Sequence, residues 1–212
     1  MNFFNSLRIS RKLFAAFAVL VVIVAGVGAV TLSQVKRVEA VSADSAHMEH
    51  MVALFGKLEQ AAFGQLLSIR GLLLTGDREN IAKYEAYGAE VDKYYSDLAK
   101  SAVHSEIKAG IANAGRLIAA WRENVARQQI ELMRAPLTVD EARVIEANGA
   151  GEEFAAKLKA QLEENFAIAD TVVAENTAAT ESAISTTILA STVGLVISVL
   201  FSIAAGFLLH RA

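Results

Sequence analysis

The stretch that decides the fold is LFAAFAVLVVIVAGVGAVTL, residues 13–32, in which no side chain carries a charge. Twenty helical residues rise about 30 Å, which matches the thickness of the hydrocarbon layer of a bilayer. A second run of the same character, ILASTVGLVISVLFSIAAGFLL, covers residues 188–209. The sequence therefore predicts two transmembrane helices with most of the chain between them.

Charge sets the expected orientation of these helices. Residues 1–12, read as a cytoplasmic leader, and residues 210–212, read as the start of a cytoplasmic linker, together carry four Lys or Arg and no Asp or Glu. Positive ends favour the cytoplasmic side, so residues 33–187 are expected to lie outside the cytoplasm. A secretory signal peptide is the alternative for the first run, but its apolar region is usually shorter, about 7 to 15 residues.

Composition argues against several classes of protein. The chain has no cysteine, so it has neither a disulfide framework nor a thiolate site. Residues 33–187 carry 16 basic and 23 acidic side chains, a net charge of −7, which disfavours nucleic acid as a partner. No residue pattern indicates a nucleophile held beside a base, and no glycine-rich loop indicates phosphate binding. We therefore expect a protein that is not an enzyme and needs no cofactor.

Helical spacing dominates the segment between the two apolar runs. Pro136 is the only proline in the sequence, and this scarcity of proline permits long unbroken helices. We expect helices over residues 33–75, 78–102, 105–134 and from 152 into the second run. The pattern predicts an all-α fold, an antiparallel four-helix bundle whose first and last helices continue into the membrane. The expected core positions of the first helix are Met48, Val52, Phe55, Leu58, Ala62, Leu66, Ile69 and Leu73. The third helix has the most regular heptad, with Ile107, Ile111, Ala114, Ile118, Trp121, Val125, Gln128 and Leu132.

Short polar segments separate these helices. Gly76 suits the left-handed conformation that ends a helix, and Asp77 is expected to cap the second helix by accepting from its first free amides. Ser105 is a candidate cap for the third helix. The sequence TVDE at residues 138–141 has the form of a capping box that starts a short helix ending near Ala147.

Two motifs resemble a known family. The run IRGLLLTGD, residues 69–77, is followed by Tyr84, and LIAAW occurs at residues 117–121. Together they resemble the extracellular CHASE sensory domain of the third type, and the resemblance covers most of residues 36–181. It implies a helical bundle inserted between two membrane spans, as in bacterial chemoreceptors, histidine kinases and cyclases. The resemblance also implies a bacterial inner membrane, with residues 33–187 periplasmic or extracellular.

The N-terminal sequence FFNSLRISRKL, residues 3–13, is similar to the start of a methyl-accepting chemotaxis receptor. That similarity implies a HAMP linker and a cytoplasmic signalling domain, or kinase partners, downstream of Ala212. The sequence would then be a fragment of a receptor, or else a protein that lacks this output.

Small residues in the apolar runs predict close helix packing. Leu54 and Leu67 suggest a second apolar column on the first long helix. The small residues that allow helices to approach in a membrane are Gly26, Gly28, Gly194, Ser198 and Ser202. We therefore expect a parallel homodimer that pairs mainly through the first helix.

Three side chains are candidate ligand contacts. Arg70 either binds a carboxylate ligand or is held by an acidic residue such as Glu85 or Glu123 and fixes helix register. Trp121 is either a packing residue of the heptad or a platform for a ligand, and Tyr84 lies in a regularly spaced row of tyrosines. A structural role is expected for the tip motif, which comprises Arg70, Gly71, Thr75, Gly76 and Asp77.

The sequence favours a sensory module that passes a stimulus, from a small molecule or a periplasmic protein, through its last helix. We expect the parent protein to be a methyl-accepting chemotaxis receptor, and a sensor histidine kinase or cyclase is the alternative. A non-signalling two-span tether is a further alternative. His47 and His50 lie one turn apart and allow a metal- or haem-binding bundle, but no matching Glu-x-x-His element occurs on another helix. We therefore expect no metal site.

Overall fold

The computed structural model describes the backbone of residues 9–210 and the side chains of residues 13–207. Most of the predicted leader and the residues after 210 therefore lie outside the described part. Within that part the chain is all-helical and contains no strand. The helices are α1 (Ile9–Thr75), α2 (Glu79–Ser101), α3 (Ser105–Trp121), the π-turn (Arg122–Ala126), α4 (Arg127–Leu132), α5 (Val139–Ala147) and α6 (Ala150–His210).

The chain divides into two units. The core unit is Ala46–Val173, and the span unit combines Met1–Ser45 with Ala174–Ala212. In the core unit, one hydrophobic core receives buried side chains from α1, α2, α3 and α6. The predicted core face of α1 is confirmed, since its side chains are buried except that of Val52, which is half-buried against the core. Burial at every third or fourth residue is what a helix with one apolar face requires.

The span unit exposes its apolar side chains. Phe14, Val22 and Leu200 are 78%, 70% and 62% exposed, as side chains that face lipid would be. Both α1 and α6 contain a window long and apolar enough to cross a membrane. Gly194 lies directly against the side chain of Val27, so this glycine brings the two segments of the span unit close together.

The predicted heptad of the third helix is correct as far as Trp121 and is kept only in part beyond it. Val125 and Leu132 are half-buried and pack against the core, as predicted, whereas Gln128 is exposed and the buried positions are Ala126 and Gln129. The π-turn takes up one residue more than an α-helical turn and so offsets the face that follows it. The prediction for Gln128 was wrong because it assumed an uninterrupted α-helix.

The turn between α1 and α2 forms as predicted. Gly76 has a φ of +70°, and its amide donates to the Leu72 carbonyl at 2.8 Å, which ends α1. The carboxylate of Asp77 accepts from the Glu79 amide at 2.9 Å and so satisfies one of the free donors at the start of α2.

Two other predicted caps do not form. His104, with extended backbone, holds the cap position of α3, so Ser105 is already the first helical residue. The hydroxyl of Thr138 makes no cap bond to α5 and instead donates to the carbonyl oxygens of Leu132, at 2.6 Å, and Ala135, at 3.1 Å. Thr138 therefore closes the turn that joins α4 to α5.

We expect Gly76→Val to lower the free energy of unfolding by about 1 to 2 kcal/mol, because a β-branched residue is strained in the left-handed conformation. Open space surrounds this position, so the effect reports backbone strain alone. Denaturation of the full chain in detergent measures it. Gly56→Ala is the matched control, at a helical glycine with equally open surroundings, and should be neutral or stabilising by up to about 1 kcal/mol. Equal destabilisation by the two substitutions would contradict the assigned turn.

Candidate functional site

Arg122, the first residue of the π-turn, connects three helical segments. Its Nε donates to Gln65 Oε1 at 2.9 Å, its Nη1 to Asp92 Oδ1 at 2.7 Å and its Nη2 to the Gly88 carbonyl at 3.1 Å. The other polar atom of the Gln65 amide, Nε2, donates to the carbonyl of Tyr84 at 3.1 Å. Gln65 is 1% exposed, so these bonds satisfy an amide that α1 carries into the core.

The sequence analysis did not single out Arg122. The available signal was Gln65 itself, a polar residue on the apolar face of α1 between Ala62 and Ile69, which required a partner. Nothing in the sequence identified that partner, because Arg122 lies 57 residues further along the chain.

A groove of about 470 Å³ opens beside Arg122, within the size range of small-molecule sites. Its lining residues are Tyr84, Ala119, Arg122, Glu123, Arg127, Ile130 and Glu131. Apolar surface from α2, α3 and α4 thus lies beside two guanidinium groups and two carboxylates. Burial raises the pKa of the Tyr84 hydroxyl above its usual value, and the nearby guanidinium of Arg122 offsets part of that rise. The phenol is therefore protonated at neutral pH.

Trp121 lies in the core next to the groove. The indole is 4% exposed and stacks on Phe154 of α6, with ring centroids 4.5 Å apart and planes inclined by 12°. The ring of Tyr84 is 6.3 Å away. Two of the three predicted ligand residues, Tyr84 and Trp121, are thus brought together, with the tryptophan packed in the core and the tyrosine lining the groove.

Arg70 belongs to a different part of the core unit and does not line this groove. Its Nε forms an ion pair with Glu146 Oε1 of α5 at 2.6 Å, and not with Glu85 or Glu123. Glu123 instead pairs with Arg127 at 2.7 Å. The expectation that an acidic residue holds Arg70 is met, but the partner lies on a short helix whose position the sequence did not predict.

The rest of the tip motif makes local contacts. The Thr75 hydroxyl donates to the Gly71 carbonyl at 2.8 Å and accepts from the Asp77 amide at 3.1 Å. The side chain of Asn80 lies against Gly71, where a Cβ atom would come within 2.6 Å of its amide oxygen. These contacts close the turn between α1 and α2.

The two histidines singled out from the sequence do not converge on one site. His47 Nε2 is 2.8 Å from the Ser101 carbonyl oxygen, whereas His50 is exposed. Among the residues that the structure describes, no three His, Asp or Glu side chains are grouped so as to hold a metal ion.

Comparison with protein families identifies the module to which these residues belong. The model of the CHASE3 domain matches residues 41–179, more than half of the chain. The chain belongs to the CHASE3 family. Comparison with the curated proteins gives no significant match, and comparison with the solved structures gives none either.

CHASE3 is a sensory domain, and in this chain it lies between two candidate membrane-spanning helices. This arrangement is compatible with a two-pass membrane protein that carries a sensory module. The resemblance of residues 69–77 and 117–121 to that domain is therefore confirmed.

Proposed function

We propose that this chain is the sensory half of a bacterial transmembrane receptor, and specifically of a methyl-accepting chemotaxis protein. The observation that carries the proposal is the CHASE3 domain, residues 41–179, flanked by two long apolar windows. Helix α6, Ala150–His210, is continuous from within the CHASE3 domain into the second window. A displacement of α6 in the sensory domain therefore has an unbroken helix along which to travel. The similarity of residues 3–13 to chemoreceptors favours that class of output over a kinase or a cyclase.

In the proposed architecture the core unit is an antiparallel four-helix bundle. Its first helix comes from α1, its second is α2, its third runs through α3 and α4, and its fourth comes from α6. All of these except α4 place fully buried apolar side chains in one core, which supports the arrangement. Residues 33–187 would lie outside the cytoplasm, and both ends of the chain would be cytoplasmic, as the distribution of basic residues favours.

The groove beside Arg122 is the proposed stimulus site. Tyr84 contributes a protonated phenol on one side, and side chains before, within and after the π-turn form the other. Trp121 would support Tyr84 from the core rather than contact a ligand directly, because only 4% of its surface is exposed. Arg70 would act on helix position, through Glu146, rather than on a ligand.

A chimeric receptor distinguishes a sensory function from that of a non-signalling tether. Residue 212 is joined to a HAMP linker and a kinase-control module, and Tyr84→Trp is introduced to fill the groove. Typical coupling between sites is about 1 to 3 kcal/mol, so a sensor should change its output by about fivefold or more. Ala89→Trp is the matched control, at an exposed position of α2 outside the groove. Identical output from both variants and the parent chimera would favour the tether.

We also propose a parallel homodimer that pairs through α1. Gly26 and Gly28 have open space around them and are free to face a partner, whereas Gly194 already packs on Val27 within the chain. The second apolar column predicted on α1 is only partly present, because Leu54 is buried and Leu67 alone is exposed. Pairing therefore depends mainly on the span unit.

Cysteine cross-linking in membranes measures this pairing, and the chain has no native cysteine to interfere. Val35, Ser42 and Ala43 are exposed on α1, whereas Val38 and Val41 are half-buried within the chain. We expect strong disulfide dimers from single cysteines at the exposed positions and weak ones at positions 38 and 41. Uniformly absent cross-links would exclude this interface.

A further inference from the structure

A cleft of about 350 Å³ lies between α2 and α3, next to the groove beside Arg122. Ala119 and Arg122 line both, so the cleft and the groove follow one another along the seam between these helices. The volume of the cleft is at the lower end of the range for small-molecule sites. We call it the α2–α3 cleft, and its other lining residues include Val91, Asp92 and Tyr95 of α2 and Gly115, Arg116 and Ile118 of α3.

The walls of the α2–α3 cleft are largely apolar. Gly115 packs directly against the ring of Tyr95, since a Cβ atom at Gly115 would come within 2.5 Å of a carbon of that ring. Ala112, three residues earlier, adds a second small side chain to this face of α3. Val91 and Ile118 are buried and form the floor. The cleft therefore offers an aromatic wall and an apolar floor to a small hydrophobic molecule.

Two guanidinium groups border this apolar surface. Arg116 is exposed and donates to the neutral amide oxygen of Asn113, and it forms no ion pair with any residue that the structure describes. The three bonds of Arg122 use one N–H on each of its nitrogens. A guanidinium has five N–H groups, so a second donor remains on Nη1 and another on Nη2. Both arginines can therefore donate to a further acceptor.

The charge of the α2–α3 cleft favours an anion with a single charge. Its lining sets two guanidinium groups against one carboxylate, that of Asp92, a net charge of +1. The side chain of Asp92 is 70% exposed, so water screens its ion pair with Arg122. In the groove beside Arg122, by contrast, Arg127 is already paired with Glu123. The cleft thus carries a positive charge without a counterion, in a segment whose net charge is −7.

We propose that the α2–α3 cleft binds a small monocarboxylate with an apolar body. The carboxylate would accept from Arg116 and from the remaining donors of Arg122, because the planar fork of a guanidinium matches a carboxylate. The apolar body would lie against Tyr95 and the floor of the cleft. A dianion would be repelled by Asp92, and a neutral molecule would leave the positive charge unmatched. This site follows from the core unit alone and does not depend on the receptor assignment.

Titration with para-fluorobenzoate tests the proposal. The full chain in lipid nanodiscs is titrated and followed by fluorine NMR, with empty nanodiscs as the blank. We expect saturable binding of para-fluorobenzoate. The neutral para-fluorobenzamide, which has nearly the same shape, should bind about tenfold more weakly or worse, because hydrogen bonds to a charged group are the stronger ones. Equal affinity for the two compounds, or no saturable binding of para-fluorobenzoate, would overturn the proposal.

Three variants locate the bound carboxylate. Arg116→Met changes an exposed side chain and should weaken the binding of para-fluorobenzoate by about tenfold or more. Ala112→Trp, at an exposed position in the cleft, should abolish binding by filling the space. Arg127→Met is the matched control, because it removes a guanidinium that lines only the neighbouring groove, and it should leave the affinity unchanged. A loss caused by Arg127→Met and not by Arg116→Met would place the carboxylate in that groove and contradict the proposal.

Discussion

Arg122→Met should lower the free energy of unfolding of the core unit by about 2 to 4 kcal/mol. The main loss falls on Gln65, which is 1% exposed and would keep a buried amide oxygen without its donor, at a cost of about 1 to 3 kcal/mol. The Gly88 carbonyl loses its contact with Arg122 as well. The ion pair with Asp92 adds little, because the side chain of Asp92 is 70% exposed.

Chemical denaturation of the full chain, followed by circular dichroism, measures this effect. Arg127→Met is the matched control, because it removes an arginine five residues away whose side chain is 67% exposed and which, among the described residues, forms an ion pair with Glu123 alone. That control should change stability by no more than about 0.5 kcal/mol. If the two variants unfold at the same denaturant concentration, the Arg122 bonds do not support the core.

Two glycines in α6 should abolish coupling to the output. We expect Ser182→Gly with Ser185→Gly, in the chimera fused at residue 212, to leave folding and insertion intact while the response to Tyr84→Trp is lost. Each glycine costs about 1 kcal/mol of helix stability relative to alanine and loosens the segment just before the second apolar window. Both positions are exposed, whereas the intervening Ala183 is buried and is left unchanged.

The response of the chimera decides whether α6 carries the signal. Receptor helices shift by only about 1 to 2 Å, so a locally flexible segment can absorb the whole displacement. The control is Ser182→Ala with Ser185→Ala, which alters the same side chains and keeps the helix stiff. Full response from the diglycine chimera would show that α1, or the spacing between two copies of the chain, carries the signal instead.

Local features of the fold could be predicted from the sequence, whereas the partners in long-range polar contacts could not. The helical class, the end of α1 at Thr75 and the cap by Asp77 all follow from neighbours a few residues apart, and all were predicted correctly. The partners of Gln65 and Arg70 lie 57 and 76 residues away, and pattern reasoning has no means of choosing among the many charged residues of the chain.

The π-turn was also beyond sequence reasoning, for a different physical reason. The heptad continues through Val125, Gln128 and Leu132 without a break, so local periodicity favours an α-helix there. In the structure Gln129, and not Gln128, is buried in the core. Tertiary packing therefore decides which residues of this segment face the core, and local periodicity does not report it.

The position of Trp121 has an experimental consequence of its own. It is the only tryptophan in the chain, so all indole fluorescence comes from one buried ring stacked on Phe154 and adjacent to Tyr84. Emission colour and quenching of such a ring respond to small changes in the polarity and spacing of its neighbours. The unlabelled protein therefore contains its own optical reporter, placed between the groove and α6, where any movement of either would change the signal.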